Sequence, residues 1–493
     1  MKRHLAYLLI ILSLISQQAF GSLWINPDDA QLRSDIQMLA AAKVIRVPVT
    51  TYPLMWQGVK GDLDKYGHLA NTPLLEGALA RVNAAHITSQ SAQGTVEIGG
   101  ATDAKRFNHF GSPVREQGEL TVGYQDSSTR WAYNLEATYS VNAHHDETFR
   151  LDNSYLAGVL GNWVFSAGYQ AQWFGPGFDS ALIMSTNARP LPGLHITRHN
   201  PEAFSVPILE WLGPWTLTTG LSWMDDERYM EDALLWTFRG TFRPHPNLEL
   251  GVSRGAQMCG THPDGNEKSC DLETFWRVLV GDTNVWSGEN PANQIASMDA
   301  KWTSTVNSLP YSLYIEVAGE DNFNLNFPPF DKRSYLYGAD ITTPLKHGSL
   351  TTIFEITDTQ SHCNYTNSYN CTYEHEPYRS GYRYNRRSLG STYDNDTQTV
   401  TLGFLGINQA SGHQWKANAR YLMLNQDDSN KAPPGGSTVA DKGENAINLD
   451  ASYLFPIQIG QLELGAEVIF SEYLDGSESD YNLTAWGQWT YNF

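Results

Sequence analysis

The last thirteen residues alternate without a break. Tyr481, Leu483, Ala485, Gly487, Trp489, Tyr491 and Phe493 fall on one side, and Asn482, Thr484, Trp486, Gln488, Thr490 and Asn492 on the other. A side-chain period of two belongs to a β-strand. One face is apolar and ends in large aromatics, while the other is almost wholly polar. A strand in a bilayer needs this pattern over about ten residues, with apolar side chains toward lipid, polar ones toward a lumen and an aromatic rim at the interface.

The pattern recurs from about Gly94 onward. Val96 and Ile98 alternate with Glu97, and Leu120, Val122 and Tyr124 with Thr121 and Gly123. Trp131, Tyr133, Leu135, Ala137 and Tyr139 alternate with Asn134, Glu136 and Thr138. The same holds for Leu313, Ile315 and Val317, for Ile447, Leu449, Ala451 and Tyr453, and for Leu462, Leu464, Ala466, Val468 and Phe470. A soluble sandwich also alternates. Two features favour a barrel: Trp and Tyr gather near strand ends, as interfacial girdles require, and the pattern runs for about 400 residues, large for one sandwich. At roughly 22 residues per strand and connection, the expected fold is all-β, a transmembrane antiparallel up-and-down β-barrel of about 18 strands. Closure removes sheet edges that lipid would not tolerate. No stretch approaches 18 uninterrupted apolar residues, so membrane-spanning helices are excluded.

The flanks agree with export. Lys2 and Arg3 precede an apolar run from Leu5 to about Ile15, then the small residues Ala19 and Gly21. Residues 1–21 read as a secretory signal peptide. Residues 22–92 read as a helical segment before the barrel of 93–493. Asn26 and Pro27 suit a helix start, with Leu32, Ile36 and Leu39 on one face. Thr72 and Pro73 repeat that start, with Leu75, Leu79 and Val82 on one face. Val47-Pro48-Val49-Thr50-Thr51-Tyr52-Pro53 between them is too rich in proline for helix. The aromatic strand ending in Phe493 resembles the signal by which the bacterial outer-membrane assembly machinery recognises its clients. Without Lys2 and Arg3, 31 basic residues stand against 53 acidic ones, a net charge of −22. That excess argues against nucleic acid. Outer-membrane lipids and the assembly machinery are the expected partners, and a monomer the expected state.

Long polar connections, the candidates for the extracellular side, run over 259–290, 358–396 and 425–442. Two local cysteine pairs lie in them, and Cys259–Cys270 with Cys363–Cys371 would close the shortest loops. Gly251-Val252-Ser253-Arg254-Gly255 matches the serine-hydrolase pattern, but that motif works only on a strand-to-helix turn. Here it interrupts nothing in a strand whose Leu248, Leu250 and Val252 face outward, so Ser253 faces the lumen. His144-His145-Asp146 and Glu374-His375-Glu376 lack metal-ligand spacing, and Gly175-Pro176-Gly177 lacks the setting of a phosphate loop. No catalytic residue, metal or cofactor is expected.

The stretch 361–387 is the strongest candidate for a ligand. It interleaves Tyr365, Tyr369, Tyr373, Tyr378, Tyr382 and Tyr384 with Arg379, Arg383, Arg386 and Arg387. Aromatic faces stack on sugar rings, and arginine forks bind carboxylates at two points. An acidic polysaccharide would suit both. The competing reading is a tyrosine-rich loop that folds on itself and plugs the mouth.

One further run is distinctive. Residues 173–193 read WFGPGFDSALIMSTNARPLPG, with Trp173, Gly175, Pro176, Asp179, Asn187, Arg189 and Pro190 at fixed spacing. This run resembles the signature of the Wzi-type capsule assembly proteins, and the stretch from Leu32 to Trp56 looks like that family's pre-barrel segment. The resemblance implies an 18-stranded outer-membrane barrel blocked at its periplasmic end by a helical segment. It also implies a lectin-like role in attaching capsular polysaccharide to the cell surface. On chemistry alone, Arg189 is expected to point into the lumen and pair with inward carboxylates such as Glu463 or Glu467.

Overall fold

The fold was obtained as a computed structural model, which describes residues 22–493 apart from 129, 144–146, 226, 281–291, 321–329, 362–370, 376 and 429–438. The signal peptide expected at 1–21 lies outside the described residues, as do Tyr365, Tyr369, Cys363 and the His144-His145-Asp146 run.

Strands from Gln93–Ala101 to Asp480–Asn492 form one closed antiparallel ring. The last strand pairs with the first, Trp489 opposite Ile98 and Asn492 opposite Thr95. Phe149–Arg150 and Tyr155–Leu160 both pair with Trp131–Val141 and make up a single stave. The ring therefore closes with eighteen staves.

The alternation read in the sequence is the alternation of burial. Leu120, Val122 and Tyr124 are exposed, while Thr121 between them is buried. Leu313 and Ile315 are exposed, while Ser312, Tyr314 and Glu316 are buried. The outer wall is thus a belt of exposed Leu, Ile, Val, Phe and Tyr, which only lipid can cover. Among the described residues no helix is long and apolar enough to cross a membrane.

Both ends of the barrel can be told apart. At the end holding Phe493, which exchanges two backbone hydrogen bonds with Gly94, most connections are tight, such as Asn307-Ser308 and Lys346-His347. The other end carries connections 259–291, 359–396 and 425–443. Short turns mark the periplasmic side and long loops the extracellular side.

Inside the wall, the amino-terminal segment rises from the periplasmic end. The first helix, Ala30–Ala41, starts at Asp29, whose carboxylate accepts the Leu32 N–H at 2.8 Å. Asp29 takes the capping role expected of Asn26 because its extended backbone aims the side chain at that donor. This helix is not amphipathic in the usual sense. Arg33, Ser34, Asp35 and Gln37 are as buried as Ile36 and Leu39, because the helix is surrounded by a polar lumen wall rather than water. A second helix, Trp56–Tyr66, contains two glycines and gives no strong helical signal in the sequence. The third, Pro73–Ser89, is capped by Thr72 as expected, its hydroxyl accepting from the Leu75 N–H at 3.3 Å. Ile36, Leu39, Val44, Ile45, Val59, Leu63, Leu75, Ala78 and Val82 build one apolar core, so this plug carries its own hydrophobic centre.

Candidate functional site

The plug is fastened to the wall by charges that the lumen buries. Glu249 accepts from the N–H groups of Val49 and Thr50 at 2.9 Å and from the Thr50 hydroxyl at 2.6 Å. Arg239 donates to Asp299, Ser253, Thr50 and Thr51. The proline-rich stretch 47–53 thus has its backbone groups matched by wall side chains, which a buried extended segment requires. Arg243 caps the turn after the first helix, donating to the carbonyls of Ile45 and Val47 at 3.1 Å. Ser253 supplies its hydroxyl to Arg239 inside a strand, with no nucleophile turn behind it.

The run 173–193 crosses the lumen above the plug. Trp173 and Phe174 pair with Tyr52 and Thr51, which joins the crossing segment to the plug. The Trp173 ring is fully buried and its Nε1 donates to the Gly177 carbonyl at 3.0 Å. Gly175 has φ +137, and a Cβ there would lie 2.7 Å from Glu316 Oε2, so only glycine fits. The carbonyls of Pro176 and Gly177 accept from Arg33 at 3.0 and 2.6 Å. Arg33 also sits 4.3 Å over the Phe178 ring and 4.4 Å over Phe110.

Asp179 is the polar hub of this segment. Arg420 donates to it at 2.9 Å, the Thr401 hydroxyl at 2.8 Å, and Tyr393 through its hydroxyl. Burial alone would raise its carboxyl, but the Arg420 charge, with the hydrogen bonds from Tyr393 and Arg420, outweighs burial and holds it below the usual carboxylate range. Burial and Arg420 push His109 down to about 4, so the ring stays neutral beside that charge. Asn187 accepts the Asn108 N–H and donates to the Ser388 carbonyl, each at 3.3 Å. Arg189 does not pair with Glu463 or Glu467. It grips Asp152 at 2.9 and 3.0 Å and also reaches Glu147, the two flanking Phe149–Arg150, while the other two carboxylates lie on a stave further round the ring.

Between plug and wall remains a polar cavity of about 670 Å³. Asp28 and Asp29 line it from the plug, and Glu97, Glu136, Arg150 and Glu463 from the wall. Pro190 borders its outer end. Burial, with Asp29 adjoining, pushes Asp28 up to about 6.

At the extracellular end the insert 371–396 descends into the mouth. Tyr373, Tyr378 and Tyr382 are at most 1% exposed, and Tyr384 8%. The Tyr373 hydroxyl donates to the Leu182 carbonyl at 2.8 Å and accepts the Ser391 N–H at 2.9 Å. Tyr378 donates to the Cys259 carbonyl at 2.9 Å. Arg383 is buried between Asp394 and Glu374, at 2.6 and 2.5 Å. Arg387 donates to the carbonyls of Lys105 and Arg106 at 2.8 and 3.0 Å. These tyrosines and two arginines therefore close the lumen and offer no face to a polymer. Two arginines of the set do reach the surface. Arg386 stands exposed on a two-residue turn, where both Asn385 and Arg386 have positive φ. Arg379 lies exposed, 4.8 Å over the Tyr229 ring. His262 packs edge-on against the same ring at 5.1 Å and bonds the Tyr229 hydroxyl at 3.0 Å.

The family model of the capsule assembly protein Wzi matches residues 87–474. The chain belongs to the Wzi family. A protein of 55.8 kDa from the cps region of Klebsiella pneumoniae, uncharacterised by its description, is 28% identical over 322 residues. That match covers 64% of this chain and spans 62% of the relative's length. The solved structure of Wzi from Escherichia coli superposes with a TM-score of 0.79 at 23% identity, over 96% of this chain and 99% of that one. It is described as an outer-membrane protein involved in group 1 capsule assembly and a carbohydrate-binding β-barrel. This Wzi-family chain is accordingly an eighteen-stranded outer-membrane barrel.

The sequence reading missed Tyr229, which carries no motif and meets Arg379 and His262 only in space. Of the two expected staples, the first is formed. Cys259 and Cys270 are bonded. Cys371 is disulfide-bonded too, while Cys363 lies outside the described residues. Among the described residues no group of three or more His, Cys, Asp or Glu is placed to hold a metal ion.

Proposed function

We propose that this protein is a non-enzymatic surface lectin that holds capsular polysaccharide on the outside of the outer membrane. The observation that carries the reading is the double closure: a plug with its own core fills the periplasmic side, and an ordered Tyr/Arg insert fills the mouth. A barrel filled in this way serves as an anchor, and the polymer is left the loop face. There Arg379, seated over the half-buried Tyr229 ring, and Arg386, exposed in the same insert, present guanidinium groups to the acidic groups of a sugar chain. Each contact is weak, and a repeating polymer adds many of them together by multivalency. Membership of the Wzi family supports the polymer's identity as capsule. The barrel works as a monomer among outer-membrane lipids, after insertion by the barrel-assembly machinery.

The test is binding of the purified protein to defined capsular polysaccharides. Wild type should retain polymer, and Tyr229→Ala with Arg379→Ala should lose most of it. Deleting the gene should release capsule into the medium while total polymer stays the same, and unchanged surface capsule would end the reading. The polar cavity favours a second reading as a narrow oligosaccharide channel. Steady open-pore current from purified protein in planar bilayers would support that alternative, and silence the plugged lectin.

A further inference from the structure

The helix Leu272–Val280, LETFWRVLV, sits in the loop that follows the Cys259–Cys270 disulfide. The Thr274 N–H donates to Asp271 at 2.7 Å, which caps its start. Its neighbours show where it lies. On strands Leu234–His245 and Leu248–Met258, Thr237, Ser253 and Gln257 face the lumen, so Trp236, Ala256 and Met258 face outward. Ala292 on the next strand faces outward too, since Asn293 bonds Gln257 inside. Elsewhere on the wall such positions are exposed, yet these four are at most 5% exposed. Val278 and Phe275 of the helix cover them. The helix therefore packs on the outer surface of the barrel, at its extracellular rim.

Covering the wall uses only one of its three faces. At roughly 100° per residue, Thr274 and Val278 point to the wall, and Glu273 and Arg277 form a second arc. Leu272, Trp276 and Leu279 form a third arc, and they are 87, 61 and 40% exposed. A helix apolar on two of three faces needs apolar surroundings on both. The lipid belt reaches the strand on which the helix packs, since Val252 lies exposed two residues from the outward Arg254 that holds the helix end. Arg254, also outward, donates to the Leu279 carbonyl at 3.0 Å and fixes the helix end against that wall.

We propose that Leu272–Val280 is an interfacial anchor, seated in the acyl chains of the leaflet on the loop side. Wall, lipid and water each take one face, the pattern of a helix lying in the membrane plane. Together with the adjoining disulfide, this seat pins the loop beside Tyr229 and His262 at a fixed height above the bilayer.

The test labels the full-length protein with a nitroxide at Trp276→Cys, Leu279→Cys or Glu273→Cys, in vesicles of dioleoyl phosphatidylcholine. The described native cysteines are all bonded, so only the new thiol reacts. Collision with oxygen, which concentrates in lipid, is compared with collision with a water-soluble nickel complex. The oxygen-to-nickel ratio should be several-fold higher at 276 and 279 than at 273. Equal ratios at all three sites would overturn the proposal. Low collision with both reagents at 276, with spin–spin broadening between copies, would also overturn it and show that a second copy covers the helix. All three positions are exposed, so labelling leaves the fold intact, and heat-modifiable gel mobility checks this for each variant.

Discussion

The two ends of the barrel are closed by different chemistry. The periplasmic plug is built from helices around an apolar core of its own, and the wall adds charges that hold it in place. The extracellular insert has no described element longer than two residues. It is ordered by buried tyrosine hydroxyls on backbone carbonyls and by Arg383 between two carboxylates. A core of aliphatic side chains tolerates loss gradually, because its neighbours partly collapse. A buried ion pair fails abruptly, because removing one partner strands the other charge in a medium that cannot solvate it. The insert should thus be the brittle end and the plug the robust one.

The largest expected effect follows directly. Arg383→Ala leaves Asp394 and Glu374 without their cation, at a cost of about 3–5 kcal/mol. Proteolysis should begin within 371–396 while the plug stays protected. Equal cleavage at both ends would break the comparison. Because the plug remains, the variant should still be silent in planar bilayers.

Leu39→Ala tests the other end. Leu39 is fully buried in the plug core, and truncation costs about 2–5 kcal/mol depending on how far the site collapses. Hydrogen exchange should quicken in Ala30–Ala41 and Pro73–Ser89 and remain slow in the insert. Conductance should again be absent, since the insert still closes the mouth.

Acidity should act on both ends with the same sign and at different pH. Burial pushes Asp35 in the plug up to about 6 despite its bond from Arg81. Burial pushes Asp396 in the insert up to about 7, against the bond it accepts from the Asp427 N–H. Each carboxyl binds its proton more tightly folded than unfolded, where it titrates near 3.8. The stability it contributes is therefore complete in acid and is lost as pH rises through the folded value. Hydrogen exchange, corrected for its intrinsic pH dependence, should show the plug loosening from about pH 4 until it levels off near 6, and the insert loosening on to about 7. Asp35→Asn should flatten only the first transition and Asp396→Asn only the second. A single shared transition would mean that the two ends open as one unit.

Much of the wall was legible because one rule, period two, acts on every stave and lipid enforces it. Val122 and Thr121 could be assigned to opposite faces without knowing any neighbour. The plug was half legible. Thr72-Pro73 carries its cap locally, whereas Trp56–Tyr66 folds as a helix under tertiary packing that overrides its two glycines. The insert was legible only as a composition. Tyrosine and arginine suit a sugar at the surface and serve equally well as hydrogen-bonding struts inside, and the sequence does not say which side of the rim they occupy. Arg189 shows the same limit, since lumen-facing carboxylates abound and only the folded path brings Asp152 to it. The interfacial helix was hidden because LETFWRVLV lies within a connection whose average is polar.

The smallest effect on stability falls where the largest effect on binding is expected. Arg379 is exposed, and its contact over Tyr229 is worth about 0.5–1 kcal/mol at such a site. Arg379→Ala should leave unfolding within that range of wild type, with the proteolysis of both ends unchanged. Polysaccharide retention should fall several-fold, because a repeating polymer multiplies the loss at each contact it makes. Arg383→Ala lowers retention too, but only together with cleavage of the insert, and Arg379→Lys separates charge from shape. Lysine keeps the charge and loses the planar fork, so partial rescue marks electrostatic attraction and no rescue marks two-point recognition of an acidic sugar. Were Arg379→Ala to bind polymer as well as wild type while Arg383→Ala did not, the gripping surface would lie on the insert's own fold rather than at Arg379 over the ring of Tyr229.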